Sequence, residues 1–381
     1  MTRQLLSAFS GYYGMGNFGD DLFGAICTSS AARFWGSSAT LVGPAIAGVS
    51  AKYTMPRWFP ITAYGSSGLP GQVSRVYSFL RAAYGPTDLL VLGGGSVIHS
   101  RKSFRQPIMI SAKRRCGLML AAVGISIGPF DSAESKQAAA DFLANFSYIA
   151  VRDRRSFELA TEMGLGHITA LGRDLAGLLA YMPEAAPEHR PYVDAGPRRL
   201  GIALCNYRVG PEYAAPDPIR FLGNLEACVV PLARARGLEV AIFSLNQHPR
   251  HGDMELSLAL ERALRKESVP TQAHFYNDKG PLEMVRRIGE CDAFVSARLH
   301  GALGAYMQGV PFAIVDYHPK CRDFADDIGL PSVLRITSDR HSDLASAVEV
   351  LLGRELTPAV SAERYGEEAL DLFRQSPWWR S

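Results

Sequence analysis

The 381-residue sequence contains no pair of cysteines close enough to form a CxxC motif. Its six cysteines (Cys27, Cys116, Cys205, Cys228, Cys291 and Cys321) are scattered, which argues against a zinc knuckle or a dithiol redox centre and suits a reducing compartment. Long apolar runs are missing too. The longest, CGLMLAAVGISIGPF, falls short of the ~20 residues a membrane helix needs. The opening MTRQLLSAFSGYYG carries one Arg and too short an apolar stretch for a secretory signal. RNP, helix-turn-helix and zinc-finger patterns are absent, so nucleic acid is not an expected partner. There is no internal repeat, no low-complexity tract and no cluster of metal-ligand residues. The expectation is a cytoplasmic protein without a metal or a resident cofactor.

What remains is an ordinary soluble composition, 47% hydrophobic and 20% charged, in a chain long enough for two domains. Strand-like apolar runs alternate with helical patterns. QLLSAFS, ATLVG, LLVLGGG, CGLMLAAVG and YIAVRD occupy the first half, and RLGIALC, LEVAIFSL, CDAFVSA and PFAIVDY the second. Such alternation implies right-handed crossovers and parallel sheets. The proline-rich stretch 181–198 has no apolar periodicity and reads as a linker. An α/β protein is expected, with Rossmann-like domains over 1–180 and 199–381 whose parallel sheets face a cleft. Ligands should bind beyond the carboxyl ends of the strands. The last segment reads as a helix that packs back.

The net charge of +3 hides an asymmetry. Through residue 180 there are 17 Lys/Arg against 10 Asp/Glu, and thereafter 23 against 27. A solvated basic surface would account for this; so would attraction to an anionic acceptor or a peripheral contact with an anionic membrane face.

Four stretches could carry chemistry. GYYGMGNFGDD follows the first strand. Its glycines permit tight turns, and Asp20 is placed to cap the next helix. Gly14, Gly16 and Gly19 have dinucleotide-like spacing, but the acidic residue expected about 20 positions later is missing. LLVLGGGSVI ends a strand on consecutive glycines, including Gly94 and Gly95, with the Ser96 hydroxyl beside them. YIAVRD leaves Arg152 at a strand's end, where its planar fork suits a carboxylate or phosphate. SARLHG places Arg298 and His300 around a helix N-terminus, which favours an anion, and Gly301 leaves room for one to approach. Lys320 follows the next strand.

Together, GYYGMGNFGDD, VLGGGS, VRD, LGRDLAGLL, SARLHG and DYHPK resemble the polysaccharide pyruvyl transferase family. The resemblance covers most of the chain, and its specific part is RLHG…GVP…DYHPK. It implies a GT-B-like fold and transfer of the enolpyruvyl carbons of phosphoenolpyruvate onto two sugar hydroxyls, giving a cyclic ketal and phosphate. Arg152, Arg298, His300, Gly301 and Lys320 would then bind the donor, with His300 as general acid. Gly16, Asn17, Asp20, Gly94, Gly95 and Ser96 would meet the acceptor, a sugar of an exopolysaccharide or capsule repeat unit on a lipid carrier. Asp20 would be the base, with His318 competing for that role, and Arg208 is a further candidate. Where the family pattern reads Asp-Pro this chain has Asp174-Leu175, and Asp174 is taken as structural. The nearest rival is a GT-B glycosyltransferase with a nucleotide-sugar donor. The helix GALGAYMQ lacks the glutamate that retaining enzymes of that kind carry there. A non-catalytic sensor of a phosphorylated metabolite would keep the same cations.

Overall fold

The computed structural model describes residues 4–100, 103–186, 198–206, 218–248, 252–276, 279–316, 318–336, 341–354 and 356–380. The chain forms two compact units. Unit 1 comprises Met1–Met15, Asp20–Met182 and Gly366–Ser381, and unit 2 comprises Gly16–Gly19 and Pro183–Tyr365. The main division therefore falls at Met182/Pro183, within the expected linker, while two segments depart from simple sequence order. Most of that linker (187–197) and the candidate Arg208 lie outside the described residues.

Unit 1 holds strands β1 (Leu6–Ser10), β2 (Ser38–Leu41), β3 (Lys52–Tyr53), β4 (Leu89–Ile98), β5 (Met119–Ile127), β6 (Tyr148–Val151) and β7 (Thr169–Leu171). They form one sheet in the order β3-β2-β1-β4-β5-β6-β7, every pair parallel. The central strands are buried along nearly their whole length. That is why they read as unbroken apolar runs rather than alternating ones. The order reverses between β1 and β4, which makes the loop after β1 and the glycines of β4 neighbours at the switch point.

The last residues join unit 1 through aromatic packing. Trp35, fully buried, donates its Nε1–H to Ser376 Oγ at 2.7 Å, and its ring lies 4.8 Å from that of Phe373. Tyr148 Oη donates to Leu372 O at 3.0 Å, and Arg173 pairs with Glu368 at 2.6 Å.

Unit 2 holds β8 (Arg199–Ala203), β9 (Glu239–Ser244), β10 (Thr271–Phe275), β11 (Ala293–Ser296), β12 (Phe312–Val315) and β13 (Arg335–Ile336). Its sheet is again wholly parallel, in the order β10-β9-β8-β11-β12-β13, with the reversal between β8 and β11. The segment Gly16–Gly19 is held to this unit by backbone bonds. Phe18 N donates to Leu245 O at 2.9 Å, Gln247 N donates to Gly16 O at 2.9 Å, and Asn17 bridges Asn246. The short strands β3, β7, β10 and β13 were not expected from the sequence.

Candidate functional site

The carboxyl ends of β8, β9, β11 and β12 lie along one edge of the unit 2 sheet, and Arg298, His300 and Lys320 follow the strand ends there. After β11 the chain turns sharply. Ser296 Oγ donates to Arg298 O at 2.6 Å and accepts from Arg298 N at 3.1 Å. Arg298 takes extended backbone angles immediately before the helix Leu299–Met307. Its guanidinium is then fixed by a carboxylate absent from the sequence reading. Arg298 Nη2 meets Asp253 Oδ1 at 2.5 Å and Nε meets Oδ2 at 3.0 Å, the two-bond geometry that a planar fork favours. Asp253 is fully buried and also accepts from Asn206 N at 3.1 Å, beyond the end of β8. Burial pushes its carboxyl above the usual range, while the Arg298 charge pulls the other way without prevailing. Asp253 directly precedes the helix Met254–Lys266, but its side chain makes no capping bond there.

His300 stands in the first turn of Leu299–Met307, and Gly19 packs against its ring. A Cβ added at Gly19 would lie 1.9 Å from His300 Nδ1 and 2.5 Å from Cγ, far inside any tolerated contact. Gly19 has ordinary helical angles, so the position needs glycine for space rather than for backbone freedom. Asn17, rather than Asp20, stands before the helix Phe18–Trp35 and accepts from Gly19 N at 3.2 Å. Asp20 lies within the first turn, which corrects its expected place as the cap. The space beside Gly301 is taken by Ser296 Oγ, Leu245 and Ala203, so this glycine seats the helix against the sheet.

After β12, His318 caps the helix Pro319–Asp327 and its Nδ1 accepts from Lys320 N at 3.2 Å. That bond puts the ring proton of a neutral His318 on Nε2. Lys320 sits in the first turn of the helix, where the dipole disfavours a cation and an anion offsets both charges. Beneath lies Cys321, fully buried, its thiol pushed up to about 12 by burial and moderated by the charges of Lys320 and Arg298. Since β11 and β12 are parallel neighbours, Arg298 and Lys320 both lie beyond the carboxyl edge of the sheet.

Unit 2 therefore holds Arg298, His300, Gly301, His318, Lys320, Gly16 and Asn17; among them Arg298 is bonded to Asp253 and through it to Asn206, and Asn17 is bridged to Asn246. Arg152, Asp20, Gly94, Gly95 and Ser96 belong to unit 1. Arg152 is 9% exposed, and its fork is taken up by Asp174 Oδ2 at 2.7 Å and Ser126 Oγ at 2.8 Å. Asp174 also caps the turn Leu175–Tyr181 through Ala176 N at 2.9 Å, in keeping with a structural place. Gly94 and Gly95 both have positive φ, with the Phe23 ring filling the space beside Gly94, while Ser96 is exposed. Among the described residues, no group of three or more His, Cys, Asp or Glu stands where it could hold a metal ion.

A family model described as polysaccharide pyruvyl transferase matches residues 46–319. No curated protein sequence matches the chain. Solved structures resemble it at low identity. UDP-GlcNAc 2-epimerase from Methanocaldococcus jannaschii is 12% identical, with 98% of this chain and 100% of that one covered at a TM-score of 0.58. S. aureus MnaA in its co-structure with UDP is 9% identical, with coverage of 98% and 95% and a TM-score of 0.60. Anabaena Alr3699/HepE, in complex with UDP and glucose, is 13% identical, with coverage of 97% and 96% and a TM-score of 0.51. These likenesses concern the fold, two parallel-sheet α/β domains of the GT-B-like kind.

Proposed function

As the chain belongs to the polysaccharide pyruvyl transferase family, we propose that it joins pyruvate from phosphoenolpyruvate to two hydroxyls of a sugar as a cyclic ketal. The observation that carries this reading is the anion-ready edge of unit 2. Arg298 is locked by Asp253, Lys320 follows the adjacent strand, and the His300 imidazole stands at a helix N-terminus. Phosphoenolpyruvate carries a phosphate and a carboxylate on a small frame, and it needs cations held at fixed positions.

In this scheme His300 protonates the methylene carbon, and positive character develops at C2. One sugar hydroxyl adds there. The second displaces phosphate from the same carbon and closes the ring. Two hydroxyl protons leave the sugar; one is accounted for in the new methyl group by way of the general acid, the other in the released hydrogen phosphate. Asp253 keeps Arg298 from rotating away, so the cation does not reorganise as charge builds on the leaving group. Asn17 and Asp20 are proposed to meet the sugar hydroxyls, with Asp20 as base. We assign Arg152 a structural part, since the carboxylate it holds, Asp174, also caps the turn Leu175–Tyr181, whereas Asp253 makes no capping bond on its own helix. The acceptor is proposed to be a repeat-unit sugar on a lipid diphosphate, modified at the cytoplasmic face of the membrane.

The test is calorimetric titration with phosphoenolpyruvate, UDP-N-acetylglucosamine, GDP-mannose and NAD, beside the Arg298→Ala variant. Binding of phosphoenolpyruvate alone, lost in the variant, is the expected result. UDP is named with two of the similar structures. Selective binding of a nucleotide-sugar would overturn the reading and make the chain a glycosyltransferase.

A further inference from the structure

The helix Leu69–Tyr84 of unit 1 leaves much of its apolar surface uncovered. Its buried side consists of Gly71, Ser74, Ser78, Phe79, Ala82 and Ala83. Five apolar residues face water: Leu69 (73% exposed), Val73 (57%), Tyr77 (52%), Leu80 (37%) and Tyr84 (41%). At 100° per residue these five fall within one arc of about 80°, a continuous stripe along four turns. Trp58, in the loop before the short helix Ile61–Gly65 that packs on the helix Leu69–Tyr84, is 79% exposed. The short helix Ile61–Gly65 between them is tied to the stripe-bearing helix by Arg75, whose Nη1 donates to Tyr64 O at 2.6 Å and Ser66 O at 2.9 Å. A soluble helix ordinarily buries its large apolar residues, so a stripe of this kind marks a surface built to be covered.

The charge around it indicates by what. Between residues 22 and 130 the sequence has eleven Lys/Arg and a single acid, Asp88. Arg81 rims the stripe, 5.9 Å from the centre of the Tyr77 ring and bonded to Thr54 O at 2.7 Å, and Lys52 and Arg57 are exposed nearby. A second copy of this chain would bring two cationic faces together. An anionic bilayer instead supplies hydrocarbon for the stripe, an interface for Trp and Tyr rings, and negative headgroups for the rim.

We propose that the face formed by the helix Leu69–Tyr84 and the loop carrying Trp58 docks the protein on an anionic lipid surface. This gives a physical place to the lipid-borne acceptor suggested above, yet it needs neither donor nor acceptor to be tested.

The experiment is co-sedimentation with phosphatidylcholine vesicles and with vesicles containing 30% phosphatidylglycerol, at low and high salt. Wild type should bind the anionic vesicles and bind the neutral ones at least about tenfold more weakly. Val73→Gln/Tyr77→Gln/Leu80→Gln should lower binding by at least about tenfold, since three apolar side chains no longer enter the interface. As a measurement independent of that variant's folding, tryptophan emission of the wild type should shift blue on anionic vesicles, and the shift should disappear in Trp58→Phe. No binding by wild type, or equal binding by a folded triple variant, would overturn the proposal. So would a dimer in gel filtration that the triple substitution dissolves, because the stripe would then be covered by a second copy. Failure of phosphoenolpyruvate to bind would leave this result untouched, and the reverse also holds.

Discussion

Replacing Gly19 by Ala sets two effects against each other, and the structure decides between them. Gly19 is the second residue of the helix Phe18–Trp35, so the intrinsic preference for Ala is at most the roughly 1 kcal/mol of a helix interior. Against that gain stands the His300 ring. The added Cβ would sit 1.9 Å from Nδ1, whereas real contacts of this kind stay beyond 3.0 Å. The ring must therefore give way by about 1.1 Å or more, the difference between those two distances. Forcing extra volume into a packed site costs about 1–3 kcal/mol, so the net effect on stability is a loss of roughly 0–2 kcal/mol. The effect on chemistry is larger, since a displacement of about 1 Å in a reacting group can cost about a hundredfold in rate. Gly223 is the matched control, also inside a helix (Pro218–Arg236) but with nothing near the site of an added Cβ. Urea unfolding should show Gly223→Ala stabilised by up to about 1 kcal/mol and Gly19→Ala not stabilised. Phosphate release from phosphoenolpyruvate with a polysaccharide acceptor should be normal in the first and about a hundredfold down in the second. A Gly19→Ala protein that gains about 1 kcal/mol and turns over normally would refute the reasoning.

Two further outcomes follow from the buried ion pairs. Arg152→Ala leaves Asp174 buried without its partner, so it should lower stability by about 3–5 kcal/mol while phosphoenolpyruvate affinity in the folded fraction stays near wild type; a selective loss of affinity instead would return Arg152 to the donor site. Asp253→Asn should weaken phosphoenolpyruvate binding and also change the acid limb of stability. Because the folded state raises the Asp253 carboxyl above its ordinary 3.8, this group adds stability as pH falls through its raised value toward 3.8, and withdraws it as pH rises. Urea midpoints between pH 7 and 4 should therefore move in favour of wild type on acidification, and an unchanged difference would contradict the burial-driven shift.

The strands legible in the sequence, β1, β2, β4, β5, β6, β8, β9, β11 and β12, include all the central ones, whose burial on both faces demands apolar runs. β3, β7 and β13 have only two or three residues, and β10 reads TQAHF, partly exposed at the sheet edge. Such edges have no pattern of their own, because pairing rather than composition makes them strands. The placement of Arg298, His300 and Lys320 at strand ends and helix starts was readable from the passage of strand into helix. Asp253 was not: it looks like an ordinary cap before Met254–Lys266, and its bond to Arg298 depends on β9 and β11 flanking β8. Arg152 shows the converse. A strand-end arginine awaiting an anion and one already holding Asp174 look the same along the chain. Gly19 read as a turn glycine, and only folding sets His300 against it.

The allotment of Gly16–Gly19 to unit 2 and of Gly366–Ser381 to unit 1 bears on how the protein is made. On the ribosome, strands β1 to β7 emerge long before the residues that cover Trp35 and Tyr148. The first unit must therefore wait, with that aromatic face open, until the second has been synthesised. The second in turn takes up four residues, Gly16–Gly19, that are translated before most of the first. Neither unit is a contiguous cassette, so a cut at Met182/Pro183 would separate each from a piece of itself. A nascent chain stalled before residue 366 would hold the first unit without the segment that covers Trp35.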